Sequence, residues 1–564
     1  TVTADGVRFG GGMGNIARNG QASGRPRFTE AARYNLQYAG MPDTLVYMLN
    51  EDSDYKDDYL SRGEWVNYLK GAPFGPNKDR SVEGLRIPID LSMAFHTDAG
   101  TTRNDTVIGT LMIYRDEDQG GSTVFPDEMS RLASRDLADI MQTQIIEDIR
   151  AKYDPAWTRR WIWNSDYSEI SRPNVPAVLL ELLSHQNFLD MKFALDPDFR
   201  FHTSRSIYKA MLKFISVQYQ VDYVVQPLPV SHFQATFDNA GDVVLKWKPV
   251  IDPLEATATP DKYRVYTRIG DKDFGNGTLV SHTEFTIKDL LPGEIYSFKV
   301  TAVNEGGESF PSEILAVSYQ GNNKKPVLIV NGFDRIAIAG TIETDEYLGF
   351  MNLWDQGVPD KYDLDFTGQQ YDLLASSPWL DDDEPGHGAS FADYETTIIP
   401  GNTFDFPYVH GMSIRASGHS FVSSSDEAIM DNQLDMTDYE YVDLILGEEK
   451  TTDGPKPRVE MRFRAFPKPF QAALEHYVSM GGNIFISGAY VGTDLFENRV
   501  DSLDIEFAEQ VLKYRHRTDH AVNTGKVISS DSTLFTLPEG FEFNTLVHPK
   551  LYAVESPDAI EPVD

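Results

Sequence analysis

Two apolar segments of the chain each end on a side chain that could transfer protons or bind a metal. The segment LSMAF is followed by His96, and the segment PAVLL is followed by Glu181. Both segments are predicted to be buried strands, and burying an unpaired charge is costly. We therefore expect this histidine and this glutamate to bind a metal, to pair with each other or to transfer protons. The structural alternative for His96 is a histidine whose hydrogen bonds are satisfied at a strand end.

The composition narrows the classes of function that the chain can have. A length of 564 residues predicts about three domains. The net charge of −36 disfavours a nucleic acid as partner, because its backbone would be repelled. The chain contains no cysteine, which excludes disulfides, all-cysteine zinc sites and thiol nucleophiles. No apolar run approaches the roughly 20 residues of a membrane span.

Residues 1–226 are predicted to form an α/β domain. Strand-like runs such as TLVYML, IPIDLSMAF, VIGTLMIY and AVLLEL alternate with segments that have helical periodicity. The clearest helix is expected over Leu132–Lys152, where apolar residues recur three and four positions apart. Alternation of this kind favours a mainly parallel or mixed sheet that is covered by helices.

Residues 227–319 change to short, evenly spaced strands separated by Gly, Asn and Pro, which predicts a β-sandwich. Trp247 is expected to anchor its core. The stretch LLPGEIYSFKVTAVNEGGESFPSE resembles a fibronectin type III domain, with Tyr296 in the position of the tyrosine corner. This resemblance implies a spacer or docking module without catalytic groups.

Residues 326–564, which follow the polar linker 321–325, are predicted to form a second α/β domain. The segment YVDLILG predicts a buried strand, PFQAALEHYVSMGG a helix, and NIFISGAYVG a strand that enters a tight glycine turn. The pattern resembles flavodoxin-like and class I glutamine-amidotransferase-like sheets. In the amidotransferases a cysteine follows such a strand, whereas this chain offers only Ser487 as a weak substitute. A structural or ligand-holding domain is the simpler interpretation.

The first domain resembles a known family of hydrolases at several places along its length. The motifs are YLSRGEWVN, FHTDAG, SRDLADIMQTQI, PAVLLELLSHQN and ALDPDFR, in that order. Together they are similar to the catalytic domain of the zinc-dependent N-acetylmuramoyl-L-alanine amidases. These enzymes cut peptidoglycan between the lactyl group of the sugar and the peptide. The resemblance implies an α/β amidase-like fold for residues 1–226.

The same resemblance implies roles for individual residues. Zinc lowers the pKa of bound water to about 7 and polarises the carbonyl, and a nearby carboxylate transfers the proton to the leaving amine. Glu181 corresponds to that catalytic acid/base, and His96 and Glu30 correspond to zinc ligands. The resemblance also matches Arg62, Asn67 and Asn187 to family positions that support the site.

The sequence departs from the family pattern at one zinc ligand. The family places a histidine in a Gly-His-Gly-Gly turn before the first helix, where this chain reads RFGGGMG and has Phe9 instead. His185 and His202 lie near the glutamate strand in sequence and could replace it, although their spacing does not require this. Because of this departure, the expectation of bound zinc rests only on the family resemblance.

Three functional interpretations follow from these patterns. The first is an exported bacterial hydrolase that cleaves an amide in peptidoglycan or a related glycopeptide, located in the periplasm, at the cell surface or outside the cell after its leader is removed. The second is a non-catalytic protein that binds cell-wall or other glycans on a degenerate amidase scaffold. The third is a polysaccharide-degrading enzyme, because the domain layout is similar to Bacteroidetes proteins described as xanthan-lyase-like.

An aromatic cluster bears on the glycan partner. Trp157, Trp161, Trp163 and Tyr167 precede the glutamate strand. These side chains could stack on sugar rings, and a core or interface cluster explains them equally well.

Overall fold

The structure of the chain is a computed structural model. It describes residues 17–18, 21–22, 32–46, 53–71, 83–102, 105–322, 324–351, 354–358, 362–363, 369–370, 373–374, 376, 390–391, 399–400, 405–456, 461–497, 500–528, 540–545 and 554–563. The predicted zinc ligand Glu30 and the divergent position Phe9 lie outside the described residues.

The chain divides into two compact units. One comprises Thr1–Val221, Glu343–Gly349 and Gln369–Thr397, and the other comprises Asp222–Ile342, Phe350–Gly368 and Ile398–Asp564. The fibronectin-like segment and most of the second α/β segment therefore belong to the same unit.

The described helices are α1 (Ala32–Tyr38), α2 (Asp43–Val46), α3 (Asp54–Lys70), α4 (Leu132–Lys152), α5 (Ser168–Ser171), α6 (Phe188–Leu195), α7 (Pro197–Tyr219), α8 (Phe406–Ala416), α9 (Asp426–Met430), α10 (Lys468–Ser479), α11 (Thr493–Phe496) and α12 (Ser502–Phe507). The strands of the first α/β segment are β1 (Ala17–Arg18), β2 (Gln21–Ala22), β3 (Ser92–Asp98), β4 (Thr110–Tyr114), β5 (Arg159–Asn164) and β6 (Ala177–Ser184). Those of the fibronectin-like segment are β7 (Ser231–Phe237), β8 (Val243–Lys248), β9 (Lys262–Ile269), β10 (Thr278–Val280), β11 (Glu284–Ile287), β12 (Ile295–Asn304), β13 (Gly307–Glu308) and β14 (Leu315–Ser318).

The remaining described strands are β15 (Val327–Asn331), β16 (Thr341–Glu343), β17 (Leu348–Phe350), β18 (Tyr362–Asp363), β19 (Gln369–Gln370), β20 (Ser390–Phe391), β21 (Ile399–Pro400), β22 (Phe421–Ser425), β23 (Tyr441–Gly447), β24 (Asn483–Gly488), β25 (Tyr514–Thr518), β26 (Lys526–Val527), β27 (Phe541–Glu542) and β28 (Ala559–Pro562). No described helix combines the length and the apolar character that a membrane crossing requires.

The first unit is built around a four-stranded mixed sheet with the strand order β3-β6-β4-β5. Strand β6 runs parallel to β3 and antiparallel to β4, and β4 runs parallel to β5. The helix expected over Leu132–Lys152 is confirmed as α4, and its buried apolar stripe includes Leu137, Met141 and Ile145. The other face of the sheet carries Leu111 and Leu179, which pack together with Ile170 of α5. The predicted α/β character of this segment therefore holds.

Strand β3 differs from the sequence prediction in one respect. The apolar segment that ends on His96 predicts a buried strand, but β3 is the edge strand of this sheet and is only partly buried. Its apolar residues therefore reflect one covered face, whereas the residues of the central strand β6 are buried on both faces.

The fibronectin-like segment has the core that its sequence predicts. Trp247 is buried and lies edge-on to Tyr263, with ring centroids 5.4 Å apart. The hydroxyl of Tyr296 accepts a hydrogen bond of 3.0 Å from the backbone N–H of Leu291. Both the core tryptophan and the tyrosine corner are confirmed.

The second α/β segment contains four parallel strands in the order β22-β15-β23-β24. Numbered along the chain this order is 2-1-3-4, which is how the doubly wound flavodoxin-like order begins. The segments predicted as buried strand and helix are confirmed as β23 and α10. Assignment of the segment to one fold family remains a prediction.

Strand β22 also joins this sheet to the fibronectin-like segment. Ser318 of β14 pairs with Phe421, and Ala235 of β7 pairs with Ser423. The two segments therefore share a continuous network of backbone hydrogen bonds, which is a closer connection than a spacer requires.

Candidate functional site

His96 and Glu181 lie opposite each other on neighbouring strands. Strands β3 and β6 are parallel, and their register pairs the Cα atoms of His96 and Glu181. Because residues paired in register project to the same face of a sheet, both side chains lie on the face that α5 covers. Asp98, two residues after His96, lies on that face as well. The topology thus brings together the two residues that the sequence singled out.

A second glutamate contacts the histidine directly. Glu169 on α5 places Oε1 3.1 Å from Nε2 of His96 and 3.1 Å from Nη1 of Arg62 on α3. Arg62 is also bound to Asp58, one turn earlier on the same helix. Glu169 is not among the residues that the sequence predicts for the site. It lies on the four-residue helix α5, between two strands. The one local hint of a role is that it is an acidic residue close in sequence to the aromatic cluster.

The two glutamates of the site have opposite pKa shifts. Burial raises the pKa of Glu181, the charge of Asp98 adds to this effect, and Arg160 and His96 oppose it. Burial would also raise the pKa of Glu169, but the hydrogen bonds and charges of His96 and Arg62 outweigh it, so that this pKa lies below its usual value. Glu169 is therefore held as a carboxylate, and Glu181 is the group suited to take up and release a proton.

Arg160 gives the site a further cation. It comes from β5 and binds Asp98 at the end of β3. The ion pair of Arg160 with Asp98 therefore links the two edge strands of the sheet, β5 and β3.

Asn67 is buried on α3 and supports the chain before β6. Its amide donates to the carbonyl of Arg172 at 2.9 Å, and its side-chain oxygen accepts from the backbone N–H of Asn174 at 2.8 Å. The neighbouring Glu64 forms an ion pair of 3.3 Å with Arg172. Asn67 thus holds the loop between α5 and β6, and through it the position of Glu181.

Asn187 is the N-cap of α6. Its side-chain oxygen accepts from the backbone N–H of Asp190 at 3.2 Å, and its amide donates to the carbonyl of Thr106 at 3.0 Å. Asp190 in turn accepts from the backbone N–H groups of Ile108 and Ser184. Asn187 thus fixes the turn after β6 rather than the residues around His96.

The described residues of the first unit do not fit a three-ligand zinc centre. Among them, no three histidine or carboxylate side chains place ligand atoms within 4.8 Å of one another. The Nε2 atom of His96 faces Glu169, and the adjacent Arg62 would repel a divalent cation. Of the two substitute histidines, His185 contacts Thr97 at 3.1 Å, whereas His202 contacts Tyr153 at 3.0 Å. Glu30 lies outside the described residues.

The aromatic cluster divides into a core residue and an exposed group. Trp157 is fully buried, and its Nε1 donates to Oγ1 of Thr110 at 2.9 Å. Trp161 is 76% exposed, and Trp163 and Tyr167 are also exposed. Trp163 pairs with Ile113 and therefore lies on the same face of the sheet as Glu181. The core interpretation therefore holds for Trp157, and stacking of the exposed members on sugar rings stays a prediction.

The second unit contains a buried ion-pair network at the carboxyl ends of β15 and β23. Arg335 donates two hydrogen bonds of 3.0 Å to Asp355, which also accepts one of 3.1 Å from Lys450. The ring of Tyr490, which follows β24, lies 4.8 Å from Nζ of Lys450. Tyr490 is buried in the glycine turn that follows β24. This turn therefore packs against the ion-pair network through the ring of Tyr490.

Comparison with known families assigns one part of the chain. The model of the fibronectin type III domain matches residues 228–318, so that this domain is established. No curated protein matches the chain.

Solved structures resemble only parts of the chain. A twitchin kinase region from C. elegans is 25% identical over 18% of this chain and 18% of its own, with a TM-score of 0.16. The FN5 domain of Drosophila Lar is 22% identical over 17% of this chain and 99% of its own, with a TM-score of 0.14. The N-acetylmuramoyl-L-alanine amidase AmiC2 of Nostoc punctiforme is 15% identical over 22% of this chain and 58% of its own, with a TM-score of 0.17. The chain thus spans about a fifth of the twitchin region and about three fifths of the amidase.

Proposed function

We propose that the first domain is an amidase-type hydrolase that cleaves an amide in peptidoglycan or a related glycopeptide. The observation that carries the proposal is the register of β3 and β6, which places His96 opposite Glu181 on one face of the sheet. The half-buried Glu181 has a raised pKa there, as a general acid/base needs near neutral pH. The motif resemblance of the sequence supports the same class of reaction.

The chemistry assigns each polar group a step. Glu181 removes a proton from water, and the water oxygen bonds to the amide carbon. Negative charge then develops on the carbonyl oxygen, where His96 or Arg160 would stabilise it. When the C–N bond breaks, Glu181 returns the proton to the leaving amine. Glu169 acts as a positioning residue, because it orients His96 without needing to reach the substrate.

The exposed aromatic side chains support a glycan as the substrate. Trp161 and Trp163 present apolar rings to solvent on β5, next to the strand that lies beside Glu181. Arg160 of the same strand, paired with Asp98, adds polar groups to this side of the domain, and apolar rings combined with polar groups suit ligands that have both apolar faces and hydroxyl groups. A substrate of this kind is found in bacterial cell walls, so we also propose that the protein works in the periplasm, at the cell surface or outside the cell.

Zinc belongs to this proposal only through the family resemblance. His96 is the one described ligand that the family pattern supplies, and further ligands would have to come from residues such as Glu30. The metal content of the purified chain, measured before and after loading with zinc, tests this part separately.

The hydrolase proposal is tested by release of peptide from purified peptidoglycan. We expect Glu181→Gln to lower kcat by about 10² to 10⁴ with little change in KM. The matched control is Glu147→Gln, which removes the same charge from an exposed position on α4. The proposal fails if the wild-type chain releases no peptide with or without added zinc, or if Glu181→Gln is as active as the control.

A second candidate is a glycan-binding protein without turnover. The ion pairs among Arg62, Glu169 and His96 favour it, because they occupy the groups that would otherwise hold a metal. This candidate predicts binding of peptidoglycan fragments that is unchanged by Glu181→Gln, and detectable peptide release would exclude it.

A further inference from the structure

Three carboxylates of the second unit lie together at the carboxyl edge of its parallel sheet. Asp334 follows β15, and Asp426 and Glu427 follow β22 directly. One oxygen from each lies within 4.8 Å of the others. We refer to these residues as the Asp426 cluster. None of the motifs in the sequence predicts it, because its members are about ninety residues apart in the chain.

The cluster has no counter-charge among the described residues. Asp334, Asp426 and Glu427 take part in none of the ion pairs of the described chain, and the nearby cations Arg335 and Lys450 are bound to Asp355. Two further carboxylates lie close enough for their charges to interact with the cluster, namely Glu313 and Glu449. Asp426 is buried and Asp334 and Glu427 are half-buried, so carboxylates this close together without a cation repel one another.

Buried polar atoms without partners at the same strand ends provide an independent observation. Asp426 is only 9% exposed, and its Oδ1 atom has no hydrogen-bond partner in the described part of the chain. Asn331, the last residue of β15, is fully buried, and both polar atoms of its side chain lack described partners. It pairs with Ser425, which precedes Asp426 and whose hydroxyl is unpartnered in the same way. Buried polar groups are nearly always satisfied, so these atoms have hydrogen-bonding or ligating capacity that a bound group can use.

The cluster lies at the edge of the sheet where open α/β sheets bind ligands, outside the carboxyl ends of the strands. The chain passes from β15 to β22 on one side and then to β23 on the other, so the topological switch point falls between β15 and β23. Asp334 follows β15, which borders the switch point, whereas Asp426 and Glu427 follow β22 on the other side of β15.

From these observations we propose that the Asp426 cluster binds one hard divalent cation, Ca²⁺ or Mg²⁺. All of its donors are oxygen atoms, which these cations prefer over the nitrogen and sulfur ligands that favour zinc. The bound cation neutralises the clustered carboxylates and joins the ends of β15 and β22. The proposed cation site belongs to a different unit from His96 and Glu181. Its test is therefore independent of the test of the hydrolase proposal.

The experiment is calorimetric titration of the full chain, stripped with EDTA, with CaCl₂ and with MgCl₂ in separate runs. We expect one saturable site for at least one of the cations, with Kd on the order of 10⁻⁵ to 10⁻³ M. The same cation should raise Tm, because it binds the native state and not the unfolded one. The two titrations also decide between Ca²⁺ and Mg²⁺.

Variants locate the binding. Asp426→Asn and Glu427→Gln should each weaken binding at least tenfold and remove the cation-dependent rise in Tm. Glu475→Gln, an exposed position on α10, removes an equal charge and should bind as the wild type does. In EDTA, Asp426→Asn should be at least as stable as the wild type because it removes repulsion. If Asp426→Asn does not fold, cation binding by Glu427→Gln decides the question. The proposal is overturned if neither cation binds below 10 mM or if Glu427→Gln binds normally.

Discussion

The Oε1 atom of Glu169 lies 3.1 Å from Nε2 of His96, and Arg62 approaches the same oxygen from α3 at 3.1 Å. A histidine at the edge of the sheet is thereby oriented by a short helix and a long one. This arrangement explains how His96 keeps a defined direction although its own strand is only partly buried.

The first prediction concerns this carboxylate. Glu169→Gln should lower the free energy of unfolding at pH 7 by about 1 to 3 kcal/mol, because it removes charge-assisted hydrogen bonds from a mostly buried group. The folded-state pKa of Glu169 is lowered, so its contribution is present above the unfolded pKa and is lost as the pH falls through the folded pKa. Urea unfolding of Glu169→Gln and of the control Glu147→Gln, at pH 7 and near pH 3, measures this. A difference that is the same at both pH values would contradict the assignment.

The second prediction concerns Asp190, whose contribution to the free energy of unfolding falls as the pH rises, opposite to that of Glu169. Burial raises the pKa of Asp190 to about 7, against the hydrogen bonds that Ile108 and Ser184 donate. A raised folded pKa means that the stability contribution is complete below the unfolded pKa and is lost as the pH rises through about 7. Asp190→Asn should therefore gain roughly 1 to 3 kcal/mol relative to the wild type between pH 4 and pH 8. Denaturant titrations across this range test it, and a constant difference would show that Asp190 ionises normally.

The third prediction tests the buried pair of Arg335 and Asp355. Arg335→Gln should cost about 3 to 5 kcal/mol of unfolding free energy, because Asp355 would remain buried with Lys450 as its main cation. As a comparison, Arg515→Gln breaks an exposed pair with Glu509 and should cost at most about 1 kcal/mol. Thermal and urea unfolding of both variants give the two values. Equal costs would mean that the buried pair contributes no more than a surface one.

The fourth prediction separates the two kinds of tryptophan. Trp161→Ala should weaken binding of peptidoglycan fragments roughly tenfold, which corresponds to about 1.4 kcal/mol, and leave the unfolding midpoint unchanged. Trp157→Ala should instead destabilise the fold by about 3 to 5 kcal/mol, because it empties a core position. Binding isotherms and urea unfolding of both variants distinguish the roles. Unchanged binding by Trp161→Ala would exclude the exposed aromatic group as a glycan platform.

Much of the fold could be predicted from local patterns. The helix α4 follows from apolar spacing, and the fibronectin type III domain follows from Trp247 and Tyr296, because each signal lies within a short stretch of chain. The edge position of β3 could not be predicted in this way. An apolar run looks the same in a central strand and in an edge strand with one covered face, and only long-range pairing separates them.

Prediction of the candidate site is limited in the same way, by contacts between distant parts of the chain. His96 and Glu181 could be selected because each interrupts or ends an apolar run, and their proximity depends on the register of two strands that are about 85 residues apart. Glu169 and the Asp426 cluster give no such local signal. Their partners come from elements that only the folded chain brings together, so their significance is visible in distances and burial and not in spacing.

The pairing of strand β22 shows that the short polar stretch at residues 321–325 does not separate two independent domains. In the intact chain, β14 and β7 cover one edge of β22 while β15 covers the other. A truncation at that stretch would leave β22 with a bare row of N–H and C=O groups, which is a template for pairing with another molecule. We therefore expect fragments that lack the fibronectin type III domain to self-associate through β22, and recombinant fragments should retain both segments.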